Sequence, residues 1–211
     1  MSDIDRQRVL EDFAVSPQTA ERMDILVSEL GRWQRIKNLV GPSTLQQVWS
    51  RHIADSLQLA ALAPQAKSWL DLGSGAGFPG LVLAILGAEA GFKVTLVESN
   101  ARKCAFLRHV SRLTEAAATI HAERLEAVLP QMVGNADVVT ARALASLEQL
   151  LSWNEALFES GTIGLFPKGR DVASELAEAE RNWVLDYEIL PSRIDPESSI
   201  VRISSAKRHT S

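Results

Sequence analysis

Two different spacings of apolar residues divide the chain near residue 64. In the first part, apolar side chains recur every three or four residues, which is the period of a helix that buries one face. One such helix is predicted to begin at Ser16 and Pro17, because serine caps free amides and proline suits the first helical position. Its predicted buried face consists of Met23, Leu26, Val27, Leu30 and Trp33.

A second helix is predicted after a break at Gly41 and Pro42. Ser43 or Thr44 can start this helix, and Pro64 ends it. Its predicted apolar face consists of Leu45, Val48, Trp49, Ile53 and Leu57. We therefore expect residues 1–64 to form a helical extension and residues 65–211 to form a second domain.

From Lys67 onward, short apolar runs alternate with helical stretches. This alternation is typical of an α/β fold with right-handed crossovers, a mostly parallel sheet and helices on both faces. Such sheets bind ligands at the carboxyl ends of their strands. The predicted helices cover residues 79–86, 101–113, 125–133, 147–158 and 171–179. The predicted strands cover residues 68–72, 93–97, 118–121, 137–140 and 162–166, followed by a terminal hairpin of residues 184–189 and 200–203.

Composition supports a folded protein and excludes several classes of site. The chain has 211 residues, of which 46% are hydrophobic and 23% are charged, and this is a globular composition. The single cysteine, Cys104, excludes an internal disulfide and a cysteine-built zinc site, and His109, His121 and His209 lack metal-like spacing. No apolar run is long enough to span a membrane, and the charged N-terminus is unlike a secretory signal. We therefore expect a cytoplasmic protein without a metal.

The strongest local motif lies between the first predicted strand and the helix that follows it. Residues 71–80 read DLGSGAGFPG. Gly73, Gly75 and Gly77 allow positive-φ turns and a close approach of the backbone to a ligand. The free amides at the start of the next helix point toward the same place. This arrangement predicts a ligand-binding turn.

Two ligands compete for this turn. The glycines from Gly75 onward satisfy the dinucleotide spacing G-x-G-x-x-G. However, the carboxylate of Asp71 repels a pyrophosphate but can accept hydrogen bonds from a cationic amino-acid group, as in S-adenosylmethionine (SAM). The pattern D-x-G-x-G-x-G therefore looks like the first motif of class I SAM-dependent methyltransferases. Glu98, after the second strand, can bind both ribose hydroxyls of either ligand, so it supports an adenosine without separating the two.

Further motifs resemble one family in particular. They run in order from residue 33 to about residue 170: WQRIKNLV at 33–40, RHIADSL at 51–57, DLGSGAGFPGL at 71–81, ESNARKCAFL at 98–107, ARALAS at 141–146 and FPKG at 166–169. Together they resemble the bacterial ribosomal RNA small subunit methyltransferase G family, also called glucose-inhibited division protein B. In the last motif this chain has Pro167 where other members often carry another apolar residue.

The resemblance implies transfer of a methyl group from SAM to N7 of one guanine in 16S ribosomal RNA. It implies a class I, Rossmann-like methyltransferase domain with a seven-stranded, mostly parallel sheet, one antiparallel C-terminal strand and a helical N-terminal extension. The implied partner is 16S ribosomal RNA or the small ribosomal subunit, and we expect a monomer. Cofactor contacts are expected at Asp71, Gly73, Ser74, Gly75, Gly77, Phe78, Glu98, Leu125, Glu126 and Arg142. Substrate contacts are expected at Asn38, Arg142, Lys168 and Gly169.

The residues agree with chemistry at N7. Guanine N7 carries a free lone pair, so the enzyme needs to align N7, the methyl carbon and the sulfur, and no proton has to leave first. No catalytic acid, base or nucleophile is therefore assigned, although Arg142 can position the reactants or stabilise charge. Residues 140–143 read TARA, which differs from the Asn/Asp-Pro-Pro-aromatic motif of exocyclic-amine methyltransferases. Cys104 lacks the Pro-Cys context of a cytosine-C5 nucleophile and reads as a core residue.

Several residues leave more than one interpretation open. Lys168 can reach a phosphate or be solvated, and Asn38 can contact the base or cap a turn. His52 and Asp55 can pair with each other or form a structural contact between the two predicted domains, and we favour the second interpretation. The cations of residues 102–112 form either a solvated helix face or one that faces RNA: Arg102, Lys103, Arg108 and Arg112.

Three other functions stay open at this point. One is a SAM-dependent methyltransferase of a small molecule or a protein. Another is a nicotinamide-dependent oxidoreductase, against which Asp71 argues. The last is a non-catalytic RNA-binding module, which the intact glycine turn disfavours.

The net charge of −4 is unevenly distributed. Residues 171–197 contain eight acidic and two basic side chains, so this segment has a net charge of −6 and the remainder has +2. The overall charge excludes a strong non-specific polyanion binder, but it allows docking through a few local cations. We expect this acidic segment to lie away from the cofactor pocket and the mouth of the pocket to be positive.

Overall fold

The computed structural model describes residues 3–37 and 47–209. The N-terminal part consists of α1 (Asp3–Asp12), α2 (Pro17–Lys37), a π-helical segment (Val48–Ile53) and α3 (Ala54–Leu62), which continues that segment. The Ser16 hydroxyl accepts the Thr19 amide at 3.1 Å, which confirms the predicted helix start. The start of the second predicted helix, at Ser43 or Thr44, lies outside the described residues.

The predicted apolar faces of these helices are mostly buried among the described residues, and Leu45 lies outside them. The larger buried side chains are Met23, Leu26, Leu30, Trp49 and Ile53. Trp33 is half-buried, and its ring meets the Phe106 ring edge-on at 5.6 Å.

The rest of the chain alternates strands and helices, as predicted. In order, the elements are β1 (Ser68–Leu72), α4 (Gly80–Ala90), β2 (Lys93–Val97), α5 (Ala101–Leu113), β3 (Ala118–His121), α6 (Leu125–Met132), β4 (Val138–Ala141), α7 (Leu147–Glu159), β5 (Ile163–Lys168), α8 (Val172–Ala179), β6 (Trp183–Pro191) and β7 (Ser199–Arg208). Four elements begin and end at the predicted residues, namely β1, β2, β3 and α5.

These strands form one seven-stranded sheet in the order β3-β2-β1-β4-β5-β7-β6. All described pairings from β3 to β5 are parallel, and β7 runs antiparallel to both of its neighbours. The predicted sheet, with one antiparallel C-terminal strand, is confirmed. The chain proceeds outward from β1 through β2 to β3 and then returns to β4 on the other side of β1. The carboxyl ends of β1 and β4 therefore flank the switch point, where such sheets bind ligands.

Two hydrophobic layers cover the sheet. One combines the N-terminal helices with α4 and α5, and includes Trp49, Leu81 and Phe106. The other combines α6, α7 and α8, and includes Leu151 and Phe166. Because the N-terminal helices share a core with the sheet, the division of the chain into two domains at residue 64 stays a prediction.

Several element ends differ from the prediction, and two of the differences have a local reason. Helix α4 continues to Ala90 and ends at Gly91, which has φ = 78° and forms a left-handed C-cap. Strand β5 continues through Pro167 to Lys168. Proline is tolerated there because the pairing of β5 with β4 ends at Leu165, so no ladder bond to β4 is lost.

Candidate functional site at the carboxyl ends of β1, β2 and β4

Three glycines shape the turn after β1. Gly73, Gly75 and Gly77 have φ values of 64°, 57° and 92°, a region that disfavours residues with a Cβ atom. The Ser74 amide donates to the Val97 carbonyl of β2 at 3.1 Å, and the Gly77 amide donates to the Ser74 carbonyl at 2.7 Å. These bonds hold the turn against the end of β2.

Asp71 lies buried beneath this turn. Its Oδ2 atom accepts the Gly80 amide at 3.1 Å, and a Cβ atom at Gly80 would clash with the same carboxylate. Its Oδ1 atom has no hydrogen-bond partner within the described part of the chain. Burial raises the pKa of Asp71 to about 7, although Ser74, the Gly80 amide and Arg142 act in the opposite direction. Asp71 therefore supports the start of α4, and its contact with a ligand stays a prediction.

Glu98 follows β2 and faces the same turn. Its Oε2 atom accepts the Gly75 amide at 3.0 Å, and its Oε1 atom accepts the Asn100 amide at 2.8 Å. The Nζ atom of Lys103 lies 4.0 Å from Oε2. Asn100 in turn caps α5 by accepting the backbone amides of residues 102 and 103. The acidic side chain is thus held at the mouth of the turn by backbone amides.

A cleft of about 340 Å³ opens above these residues, and we call it the first cleft. Five of its lining residues were predicted as cofactor contacts: Gly73, Glu98, Leu125, Glu126 and Arg142. The other predicted contacts build the turn without lining the cleft: Asp71, Ser74, Gly75, Gly77 and Phe78.

Sequence reasoning missed several other residues of the first cleft. These include Lys103, Arg124, Leu144 and Trp153. Lys103 comes five residues after Glu98, in the first turns of α5, and this short spacing is visible in the sequence. Trp153 comes from the middle of α7, and its spacing in the sequence indicates only a helix.

A second cleft, of about 330 Å³, lies beside the first. Arg142 and Ala143 line both clefts, and Ala143 has a positive φ of 52°. The second cleft contains three of the four predicted substrate residues, Arg142, Lys168 and Gly169. The fourth, Asn38, lies outside the described residues.

Arg142 joins the two clefts through contacts on two sides. Its Nη1 atom lies 3.3 Å from Oδ2 of Asp55, which comes from α3 and also lines the second cleft. Its guanidinium carbon lies 5.5 Å from the centre of the Phe78 ring. The Oδ1 atom of Asp55 accepts the Gln58 side-chain amide at 2.7 Å. An N-terminal helix therefore orients the arginine that follows β4.

The His52 ring packs beside Phe78 and makes no hydrogen bond with the described residues. Its ring stacks on Phe78 with 4.9 Å between centroids, and both ring nitrogens are buried without a partner in the described structure. Burial, with Arg142 and Arg51 adding to it, lowers the pKa of His52 to about 4. One interpretation paired His52 with Asp55, but the described structure shows no bond between these two side chains. Asp55 pairs with Arg142 instead.

Lys168 is engaged in contacts with the protein rather than solvated. Its Nζ atom donates to Glu175 Oε2 at 2.6 Å and to the Ala145 carbonyl at 3.1 Å, and its side chain is only 7% exposed. The same carboxylate oxygen accepts the Leu147 amide at 2.7 Å. This ion pair ties the end of β5 to α7 and α8 at the wall of the second cleft.

Known proteins are similar to this sequence over nearly its whole length. The profile of a family described as rRNA small subunit methyltransferase G matches residues 19–195. A protein named ribosomal RNA small subunit methyltransferase G from Methylobacterium radiotolerans is 60% identical over 97% of both chains. One of the same name from Gluconobacter oxydans is 47% identical over 92% of this chain and 97% of its own.

The chain belongs to the rRNA small subunit methyltransferase G family. It is therefore an enzyme that transfers methyl groups, as the resemblance implied.

Solved structures agree on the fold of this family member. An SAH-bound methyltransferase from Podospora anserina superposes with a TM-score of 0.60, at 14% identity, over 86% of this chain and 88% of its own. A TehB-like SAM-dependent methyltransferase from Corynebacterium glutamicum gives 0.53 at 15% identity over 84% of this chain and 98% of its own. These matches show a SAM-dependent methyltransferase fold. Together with the family, they decide against a nicotinamide-dependent oxidoreductase and a non-catalytic RNA-binding module.

The charge around the clefts corrects one expectation for this methyltransferase. The first cleft is lined by three cations and three carboxylates, so its lining is balanced rather than positive: Lys103, Arg124 and Arg142 against Glu98, Glu123 and Glu126. No described residue of the acidic segment 171–197 lines this cleft. Glu175 of that segment lines the second cleft instead, where it pairs with Lys168.

The structure also bears on a cysteine nucleophile, a metal site and a membrane span. Cys104 is buried, its Sγ donates to the Glu98 carbonyl at 2.9 Å, and burial raises the pKa of the thiol. It is therefore a poor nucleophile. The described residues contain no group of metal-ligating side chains, and no described helix is both long and apolar enough to cross a membrane.

Proposed function

We propose that this chain transfers the methyl group of SAM to N7 of a guanine in the 16S ribosomal RNA of the small subunit. The observation that carries the proposal is Arg142. It lines both clefts, so one residue of a methyltransferase in this family stands between the expected cofactor site and an adjoining cavity. A donor in the first cleft and a base in the second would meet beside its guanidinium.

The first cleft fits the chemistry of SAM. Its volume is within the range of small-molecule sites. Glu98 presents two carboxylate oxygens at the end of β2, as recognition of a ribose requires. The predicted contacts Gly73, Leu125 and Glu126 form the surrounding wall. When bound, SAM supplies a methyl group on a positively charged sulfur.

The protein's own residues position the reactants. The Asp55–Arg142 pair and the Phe78 ring fix the guanidinium, which can donate to guanine O6 or to a phosphate. We assign Lys168, Gly169 and Asn38 to the substrate side. Because Lys168 is paired with Glu175, it orders the wall of the second cleft unless RNA displaces that carboxylate.

The side chains lining the clefts are consistent with a reaction that needs no covalent nucleophile. Among the described residues, neither cleft is lined by a histidine or a cysteine. Guanine N7 attacks through its free lone pair, so alignment is the main contribution required of the enzyme. This requirement matches a site built from fixed backbone amides and an anchored arginine.

A monomer that works on ribosomes in the cytoplasm is the simplest form of this proposal. The described residues include five large exposed apolar side chains, and isolated ones are ordinary at protein surfaces. They are Ile4, Leu113, Val133, Val184 and Ile189.

Methyl transfer by the purified chain tests the proposal. Radiolabelled SAM is supplied with naked 16S RNA, with small subunits from cells that lack the enzyme, or with small-molecule and protein acceptors. We expect label in a 16S-containing substrate and its recovery as N7-methylguanine after digestion. Absence of transfer to every 16S-containing substrate, or transfer to another class of acceptor, would reject the proposed reaction.

A further inference from the structure

The outer face of α5 carries arginines without carboxylate partners. Arg102, Arg108 and Arg112 are exposed, and so is Arg124 at the start of α6. Within the described residues, none of these four forms an ion pair. Most other described arginines do: Arg6, Arg22, Arg32, Arg51, Arg142, Arg170, Arg202 and Arg208.

The helical period places three of these cations on one face. At 100° per residue, Arg102, Arg108 and Arg112 fall within about 120° of one another. The exposed residues between them on this face are Ala101 and Ala105, which leave the guanidinium groups unobstructed. The whole of α5 contains no acidic residue. This face therefore has a concentrated positive charge on a chain whose net charge is −4.

Helix α5 runs from the first cleft to the edge of the sheet. Beside its first turn, Lys103 and Arg124 line the first cleft. At the other end, Arg108 and Arg112 border a shallow groove against edge strand β3, together with Ile120. Arg102 and Arg112 are ten residues apart, which is about 15 Å along a helix. The length suits a run of several consecutive phosphates.

The neighbouring acidic residues are engaged elsewhere. Glu98 accepts backbone amides within the turn, and Glu115 pairs with Arg22 of α2 at 2.7 Å. Glu123 lies 3.4 Å from the ring of His121. Their charges are thus partly compensated before any partner arrives.

We infer that this face, which we call the α5 arginine face (Arg102, Arg108, Arg112 and Arg124), binds the phosphate backbone of the RNA that flanks the target base. The inference rests on the proposed function for the identity of its partner. Arginine suits the task because its planar guanidinium can donate two hydrogen bonds to one phosphate. Phosphate contacts position an RNA without reading its sequence, which leaves base selection to the second cleft.

A double substitution, Arg108→Gln with Arg112→Gln, tests the inference. Both side chains are exposed and distant from the turn, so SAM affinity is expected to stay unchanged. The control is Arg181→Gln with Lys207→Gln, which removes two exposed cations at the β6–β7 edge of the sheet, opposite the β3 edge. Binding to small subunits from cells lacking the enzyme is measured by co-sedimentation over a series of KCl concentrations.

We expect the arginine variant to bind roughly tenfold more weakly near 0.15 M salt, and the control to bind like the unmodified chain. The slope of log affinity against log salt should fall in magnitude by about 1.5, since each lost phosphate contact removes about 0.7–0.9. An unchanged slope, an equal loss in the control, or no binding by the unmodified chain would overturn the inference. Methyl transfer is recorded separately, so salt-dependent binding without methylation would reject the proposed function and retain the α5 arginine face.

Discussion

The two clefts that meet at Arg142 are built in different ways. The first is formed by backbone: three positive-φ glycines, the amides that hold Glu98, and the buried contact between Asp71 and Gly80. These backbone contacts all lie within residues 71–100. The second is formed by side-chain ion pairs between distant segments, since Arg142 pairs with Asp55 and Lys168 pairs with Glu175.

This difference has consequences for tolerance to substitution. A backbone-built site fails when a Cβ atom is added where none fits. A site built by ion pairs keeps its backbone when one partner is neutralised, but the remaining side chain loses its orientation. Substitutions should therefore affect the first cleft through stability and cofactor affinity, and the second through turnover on RNA.

The largest effect is expected from Gly80→Ala. The added Cβ would clash with the buried Asp71 carboxylate, so we expect a loss of about 3 kcal/mol in the free energy of unfolding. Gly91→Ala is the control, because Gly91 has a positive φ of 78° but open space around it, and should cost about 1 kcal/mol. Urea unfolding measures both. Equal losses in the two variants would contradict the close contact.

The pH dependence of stability tests the buried state of Asp71. Because its folded pKa, about 7, is above the unfolded value of 3.8, the folded chain binds more protons between these values, and its stability falls as pH rises through this window. Asp71→Asn removes this fall. Relative to the unmodified chain, it should gain about 3 kcal/mol between pH 4 and pH 7 and then level off.

Asp137 provides a control of opposite sign. Its carboxylate accepts the Lys67 and Ser68 amides, and chiefly the Lys67 bond lowers its pKa. The stability difference between Asp137→Asn and the unmodified chain should therefore stay constant above about pH 5. If the Asp71→Asn difference were equally flat, Asp71 would not be buried as described.

Glu98→Gln tests the acidic end of the first cleft. Loss of one charged acceptor should weaken SAM binding by about ten- to a hundredfold, the range of hydrogen bonds to charged groups. Calorimetric titration with SAM provides the measurement. Glu123→Gln neutralises another carboxylate of the same cleft that contacts only the His121 ring among the described residues, and it should change affinity little. Equal losses of SAM affinity in the two variants would show that Glu98 has no specific role in binding SAM.

The smallest effect is expected from Asp55→Asn, which tests the second cleft. Arg142 would lose its ion pair, and kcat/KM for the RNA substrate should fall about tenfold, equivalent to about 1.4 kcal/mol. SAM affinity should change less than twofold, and Asp55→Glu should recover part of the activity. A loss of SAM affinity as large as the loss of kcat/KM would mean that Asp55 serves the first cleft instead.

The contrast between the clefts also explains what the sequence could predict. The glycine turn and Glu98 were predictable because a strand, a positive-φ turn and a helix start within about 30 residues carry local signals. Strands β1, β2 and β3 were predictable for the same reason. The pairing of Lys168 with Glu175, and the arrival of Ser192 at the second cleft, depend on how β5, α8 and the residues after β6 come together. Nothing in residue spacing specifies those contacts.

The direction of the Asp71 side chain shows the same limit. Its type and position before the glycines correctly pointed to a methyltransferase-like turn. The sequence could not show that one carboxylate oxygen would be bonded to Gly80, because that bond depends on the path of the chain through the turn.

Mass mapping of 16S ribosomal RNA from cells lacking this chain is the decisive test of the proposed reaction. If the chain methylates N7, one N7-methylguanine disappears from these cells, returns with the unmodified chain, and does not return with Gly73→Asp, whose side chain would collide with Leu144 at a positive φ. An N7-methylguanine that persists unchanged in the deleted cells would disprove methylation of 16S RNA by this chain.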